Sequence, residues 1–332
     1  MPKEITHWLI AEKAAERLTD RTKSSILMRY IGMVRLGAII HDVLYYVRSG
    51  SANIRRCSDI ANALHGTNGE DTFALLRIIA SGIDTPNTDS LQHREAFTAF
   101  LFGATTHYCA DVIFHPYIYY VSGNCLKNQT SFQAWEHHRS LEAAIDLTFC
   151  KTYHRRVHEF SLLNDISLHR LELQSILQHV AQTQYNAGMN IRAKDYEEGY
   201  KTLAWLRLLM RAFVPNAFLD TIEYAVPSLV RTIISAETRS YLGLRYTRQS
   251  RWGIPASRHP FQYYHPVSGE HYTTTLADLF EQAVQETITL WGMFEHTIIA
   301  GRLLETSGKS LEVGLPGIPN TAMKTFAEIS VP

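Results

Sequence analysis

The 332-residue chain is 45% apolar and only 19% charged, a balance that excludes a disordered polyelectrolyte and leaves ample material for a core. Its 32 Lys and Arg offset 32 Asp and Glu, so no broad positive field exists to grip nucleic acid by its phosphates. No run of about eighteen residues is both uncharged and strongly apolar, and no membrane-spanning helix is expected.

The opening Met1-Pro-Lys-Glu-Ile-Thr-His-Trp8 runs into a charged amphipathic segment without an apolar leader, which sets the expectation of a cytoplasmic protein. Ile10, Ala11, Ala14, Ala15 and Leu18 form one stripe of a first helix, with Thr6 as its expected N-cap. Helices are expected at about 24–35 and 70–80. The segment from Phe97 to His115 is apolar on most sides and reads as a central buried helix that stops near Pro116. Further helices are expected at about 132–150, 155–181, 195–212, 217–240 and 276–300. Between the last two, residues 243–269 are rich in Arg, Pro, Gly and Ser and read as a long ordered loop; Pro266-Val-Ser-Gly269 is the turn of a short hairpin within Tyr263 to Thr275. The predicted fold is therefore all-α, with residues 1–306 forming a single helical domain and 307–332 an irregular tail lying on its surface. Cys57, Cys109, Cys125 and Cys150 have no CxxC spacing and read as buried thiols.

Chemistry concentrates inside the central helix. His107, Asp111 and His115 recur every four residues along an apolar segment and must share a face. Four residues advance a helix by about 6 Å, so neighbours in this ladder can meet one ion whereas the outer pair cannot, and more than one ion is implied. A second ladder, His138, Glu142 and Asp146, repeats the spacing, with His137 competing for its first rung. Burying so many ionisable groups without partners costs several kcal/mol per charge, roughly, and coordination supplies the partner. Three more candidate ligands stand at segment ends: His7, Asp42 in Leu36-Gly-Ala-Ile-Ile-His-Asp42, and His65 in Ala63-Leu-His-Gly-Thr-Asn-Gly69.

The ordered set His7, Asp42, His65, His107-x3-Asp111, His115 and His138-x3-Glu142 resembles the bacterial zinc-dependent phospholipase C family, relatives of the fungal single-strand nucleases. The resemblance covers residues 5 to about 146 and implies a helical phospholipase C-like bundle with a metal cluster in a central cleft. Carried over, it implies one ion on Asp42, His65, His107 and Asp111, a neighbour bridged through Asp111 and bound by His7, and a third on His115, His138 and Glu142. Asp42 doubles as the expected general base or as the group orienting the attacking water; Asp146, to which the resemblance assigns no role, is expected behind the ligands, where a carboxylate can fix a ligating imidazole. Two features depart from the family pattern. Trp8 follows His7 instead of opening the chain, and Asp111 to His115 is a step of four residues where the secreted enzymes have six.

The expected cofactor is two or three zinc ions, with manganese and iron also compatible with imidazole and carboxylate ligands. The expected reaction is hydrolysis of a small anionic phosphoester by metal-bound hydroxide. Tyr45, Tyr46, Tyr108, Phe114 and Tyr117 flank the ligands in sequence and are either pocket walls or plain core. Arg245, Arg248, Arg251, Arg258 and His259 form an acid-free run, interleaved with Tyr246 and Trp252, that either captures an anionic substrate or is a solvated loop. Two other readings compete: a phosphohydrolase of the HD-domain kind built on His41-Asp42, and a non-catalytic helical scaffold stapled by its ions.

Overall fold

The computed structural model describes residues 3–83, 90–123, 132–212, 257–299 and 306–327. Helices dominate them: α1 Glu4–Arg17, α2 Arg21–Arg29, α3 Ile31–Gly37, α4 Ser51–Leu64, α5 Ala74–Ser81, α6 Leu91–Ser122, α7 Phe132–Thr152, α8 Leu162–Leu168, α9 Arg170–Asn186, α10 Ala193–Ala212 and α11 Leu276–Ile299. The expected hairpin is present as antiparallel strands β1 Phe261–Tyr264 and β2 His271–Thr274, with Phe261 opposite Thr274 and Tyr264 opposite His271. None of the described helices is long and apolar enough to cross a membrane.

The 32-residue α6 is the axis of the fold. Ser90 caps it by accepting from the His93 N–H, and Phe97, Phe100, Leu101, Phe102, Ala104 and Phe114 are buried around its circumference. Helices α1, α3, α5, α7 and α11 pack on it. Where α3 crosses α6, Gly37 and Gly103 face each other. A Cβ on Gly37 would overlap the Phe100 carbonyl, and one on Gly103 the Val34 carbonyl, so the two backbones touch with no side chain between them. That contact brings the turn carrying Asp42 against the face of α6 that carries His107.

Four expectations need correction. Thr6 is not the N-cap of α1: the helix begins at Glu4, and Asp146 of α7 supplies the cap from across the fold by accepting from the Ile5 and Thr6 N–H groups at 3.1 and 2.8 Å. Nor does α6 stop at Pro116. The ring removes one donor, to the Val112 carbonyl, but Tyr117, Ile118, Tyr119 and Ser122 are buried and carry the helix another turn and a half. The helix expected over 155–181 is three pieces, a 3₁₀ turn at Val157–Glu159 followed by α8 and α9, with His154 in the left-handed region at φ 52°. Finally, the described part of the tail is irregular but is not confined to the surface: Ser310, Leu311, Glu312, Val313, Asn320 and Met323 are all buried. The helix expected over 217–240 lies outside the described residues.

Candidate metal centre

His7 sits in the first turn of α1, one residue beyond the two N–H groups held by Asp146. Thr6 adds a third bond, donating its hydroxyl to the same carboxylate at 2.6 Å. Asp42 follows α3 and opens a 3₁₀ turn at Val43–Tyr46. His65 ends α4, and α6 and α7 present the two ladders.

These elements converge on three groups of mutually close ligand atoms among the described residues: His7, His107 and Asp111; Asp42, His65 and His107; and His115, His138 and Glu142. Asp111 is central, with Oδ1 3.3 Å from His7 Nε2 and Oδ2 3.0 Å from His107 Nε2 and 3.9 Å from His65 Nε2. Asp42 Oδ1 lies 3.2 Å from His65 Nε2 and 3.9 Å from His107 Nε2. In the third group His138 Nε2 and Glu142 Oε1 are 2.9 Å apart.

Around Asp111 proximity is not hydrogen bonding. Both nitrogens of His7, Nε2 of His107, Nε2 of His115, Oδ1 of Asp42 and both carboxylate oxygens of Asp111 are buried without a hydrogen-bond partner. Leaving one such atom unpaired costs about 1–3 kcal/mol, and natural proteins rarely tolerate a cluster of them without something to bind. Four imidazoles have their other nitrogen tied. His107 Nδ1 lies 2.9 Å from the Ala38 carbonyl and His65 Nδ1 2.7 Å from that of Ala61; His115 Nδ1 pairs with the Leu311 carbonyl, and His138 Nδ1 lies 3.2 Å from Ser122 Oγ. A carbonyl oxygen can only accept, so Nδ1 donates and in the neutral rings of His65, His107 and His115 the Nε2 lone pair is left facing the cluster. The donor set therefore fits a group of divalent cations.

The charge pattern of the metal-free chain agrees. Burial opposes protonation of His107, yet the Asp111 and Asp42 carboxylates outweigh it and lift the imidazole to about 9. Burial likewise opposes ionisation of Asp111, and the flanking His107 and His115 nonetheless hold its carboxyl well below the ordinary range. Burial pushes His7 down. A single proton on His107 thus occupies a place suited to a cation.

Not every candidate faces this cluster. Asp146 is fully buried and contacts the start of α1, and burial followed by the nearby Glu4 raises it to about 7. His41 is buried, stacks on His107 at 4.5 Å between ring centroids, has no hydrogen-bond partner on either nitrogen, and is in none of the three groups. His137 likewise belongs to none of them. Tyr45 donates its hydroxyl to Asn62 at 2.8 Å while its ring tilts against His65. Tyr108 accepts from the Lys309 N–H at 2.8 Å. Phe114 and Tyr117 are core residues on α6, Tyr117 packing on Phe261 of the hairpin. Trp8 is also core, its indole donating to the Arg35 carbonyl at 2.9 Å.

Arg258 is exposed beside Tyr153 and next to Ser257, which bonds Thr152 at the end of α7. That end is ten residues beyond Glu142, about 15 Å along the helix. Arg251, Arg245 and Arg248 lie outside the described residues. No sequence pattern announces the contribution of main-chain carbonyls at Ala38, Ala61 and Leu311, because an acceptor common to every residue leaves no mark in side-chain pattern.

The sequence profile of the zinc-dependent phospholipase C family matches residues 6–206, more than half of the chain and all of the ligands named above. Neither the curated proteins nor the solved structures yield a match. The match over residues 6–206, with three clusters of buried imidazole and carboxylate on a helical frame, leads to one conclusion: the chain belongs to the zinc-dependent phospholipase C family.

Proposed function

We propose that the chain hydrolyses small anionic phosphoesters with two or three zinc ions held at the three ligand groups. What supports this reading is the set of buried, unpartnered atoms of His7, His107, Asp42 and Asp111 around Asp111, together with His115 Nε2 beside His138 and Glu142. His7, His107 and Asp111 would hold one ion, Asp42 and His65 with His107 or Asp111 a second, and His115, His138 and Glu142 a third. When bound, such ions make water nucleophilic near neutral pH and neutralise charge on phosphoryl oxygens.

The residues supply the rest. Asp42, whose Oδ1 lies 3.2 Å from His65 Nε2, accepts the proton of the attacking water; the P–O bond to the departing alkoxide breaks as the new bond to phosphorus forms, and the proton passes on to that oxygen. Buried Asp111 would supply negative charge to bound ions, and the tied Nδ1 atoms of His65, His107, His115 and His138 fix their rings before substrate arrives. Asp42, His138 and Glu142 retain 5%, 4% and 6% of their surface, whereas His7, His107 and Asp111 retain none, which supports an approach of substrate from the Asp42 and Glu142 side.

The test is a panel of chromogenic phosphodiesters, phosphomonoesters, short-chain phospholipids and single-stranded oligonucleotides, run with zinc and with manganese. Asp42→Asn should retain the fold and lower turnover by about 10²-fold or more, with metal content measured on the same sample. A metal-replete wild type inactive on the entire panel would favour a scaffold stapled by its ions, and undiminished turnover in Asp42→Asn would end its role as base.

A further inference from the structure

The C-terminal segment, beyond the residues matched by the family profile, reaches into the centre through its main chain. The two ends of the Leu311 residue serve different ligand groups. Its N–H donates to the His65 carbonyl at 2.9 Å, and its carbonyl accepts from His115 Nδ1. On either side the strap is fastened. The Lys309 N–H donates to the Tyr108 hydroxyl at 2.8 Å and its carbonyl accepts from Thr72 Oγ1 at 2.8 Å. Glu312, buried, accepts from Thr67 Oγ1 at 2.9 Å, and His265, from the loop after β1, donates Nε2 to the Val313 carbonyl at 3.0 Å.

Its register is set against the break in α6. Pro116 leaves the Val112 carbonyl without its helical donor, and Gly314 passes over that spot at φ +67°. A Cβ on Gly314 would stand 2.7 Å from the Val112 oxygen and 3.3 Å from Pro116 Cγ. Only a residue without a side chain lets the strap lie low enough for Leu311 to reach the His115 ring.

We propose that the segment Gly308 to Leu315 is a positioning element for the third ion, holding the His115 imidazole in tautomer and direction through the Leu311 carbonyl. The inference rests on the three-ion reading above. It makes loading of the His115, His138 and Glu142 group depend on a chain segment that contributes no ligand. The group around Asp42 is less dependent, because Leu311 hydrogen-bonds the main chain of His65, whose ring is tied instead to the Ala61 carbonyl.

The experiment uses the metal-free full-length chain titrated with Zn²⁺ and with Co²⁺ against a competing chelator. The binding step abolished in Glu142→Ala identifies the third ion. Gly314→Ala should weaken that step by about 10–100-fold, the usual effect of disturbing the hydrogen-bond partner of a ligating histidine, and leave the other steps within about 2-fold. Gly308→Ala pushes on the strap from its other end, where a Cβ would collide with Thr72 Oγ1, and should weaken the same step even if Gly314→Ala does not fold. Gly317→Ala is the control: its φ of +64° carries the same backbone strain into open space, and the third ion should be retained. Unchanged affinity at the Glu142-dependent step in both strap variants, or equal weakening of every step, would overturn the proposal. A wild type that binds no ion would overturn the three-ion reading and the strap with it.

Discussion

Replacing Asp146 with alanine separates the hold on α1 from the ligands themselves. The carboxylate accepts from the Ile5 N–H at 3.1 Å, the Thr6 N–H at 2.8 Å and the Thr6 hydroxyl at 2.6 Å, all buried. Lys3, at the N-cap, supplies no side-chain cap of its own. Two stranded N–H groups at about 1–3 kcal/mol each give a gross loss of about 2–6 kcal/mol. Part is recovered because burial, followed by Glu4, has already raised this carboxyl to about 7, and its removal ends that desolvation. The expected net loss is about 2–4 kcal/mol in urea unfolding of the metal-free chain at pH 7. Asp146→Asn keeps one accepting oxygen and should fall between wild type and alanine. The freed first turn carries His7, so zinc competition should also show the weakening of one ion by about 10-fold or more. A loss under about 0.5 kcal/mol together with wild-type zinc affinity would show that α1 is held by something other than this cap.

The three ligand groups predict unequal losses. Asp111→Ala, at the shared carboxylate, should remove more zinc than Glu142→Ala, measured by elemental analysis; equal losses would mean one cooperative cluster instead of separable sites. The metal-free chain should also lose stability as pH rises from about 6.5 to about 9. His107 is lifted to about 9 when folded, so the folded state binds the extra proton in that window and the contribution, a few kcal/mol at most by roughly 1.4 kcal/mol per unit, disappears above it. Zinc must displace that proton, and its affinity should therefore rise over the same interval; a thermal midpoint flat from pH 6.5 to 9 without metal would contradict the assignment.

The frame was legible where periodicity and burial coincide. His107, Asp111 and His115 stand out because an apolar stretch has no other reason to carry three titratable groups at one-turn spacing, and the order of ligands from His7 to Glu142 identified the family. Long-range partners were not legible. The cap of α1 comes from Asp146, 140 residues from Thr6, and no local pattern near Thr6 announces it. Pro116 misleads for the same reason, since the burial that carries the helix past it depends on the hairpin and the tail. The buried tail was missed because its hold is made largely by main-chain groups, which every residue possesses.

The crossing of α3 on α6 acts as the fulcrum of a very short lever. His107 stands four residues past Gly103 and Asp42 five past Gly37. Along α6 that arm is about 6 Å. Rocking the helices by about 5° at the glycine contact would displace the ligand by only about 0.5 Å, within the tolerance a coordinating site allows. Larger motions elsewhere in the bundle are thereby demagnified before they reach the candidate ligands, and the distant loops can change without re-aiming His107 or Asp42.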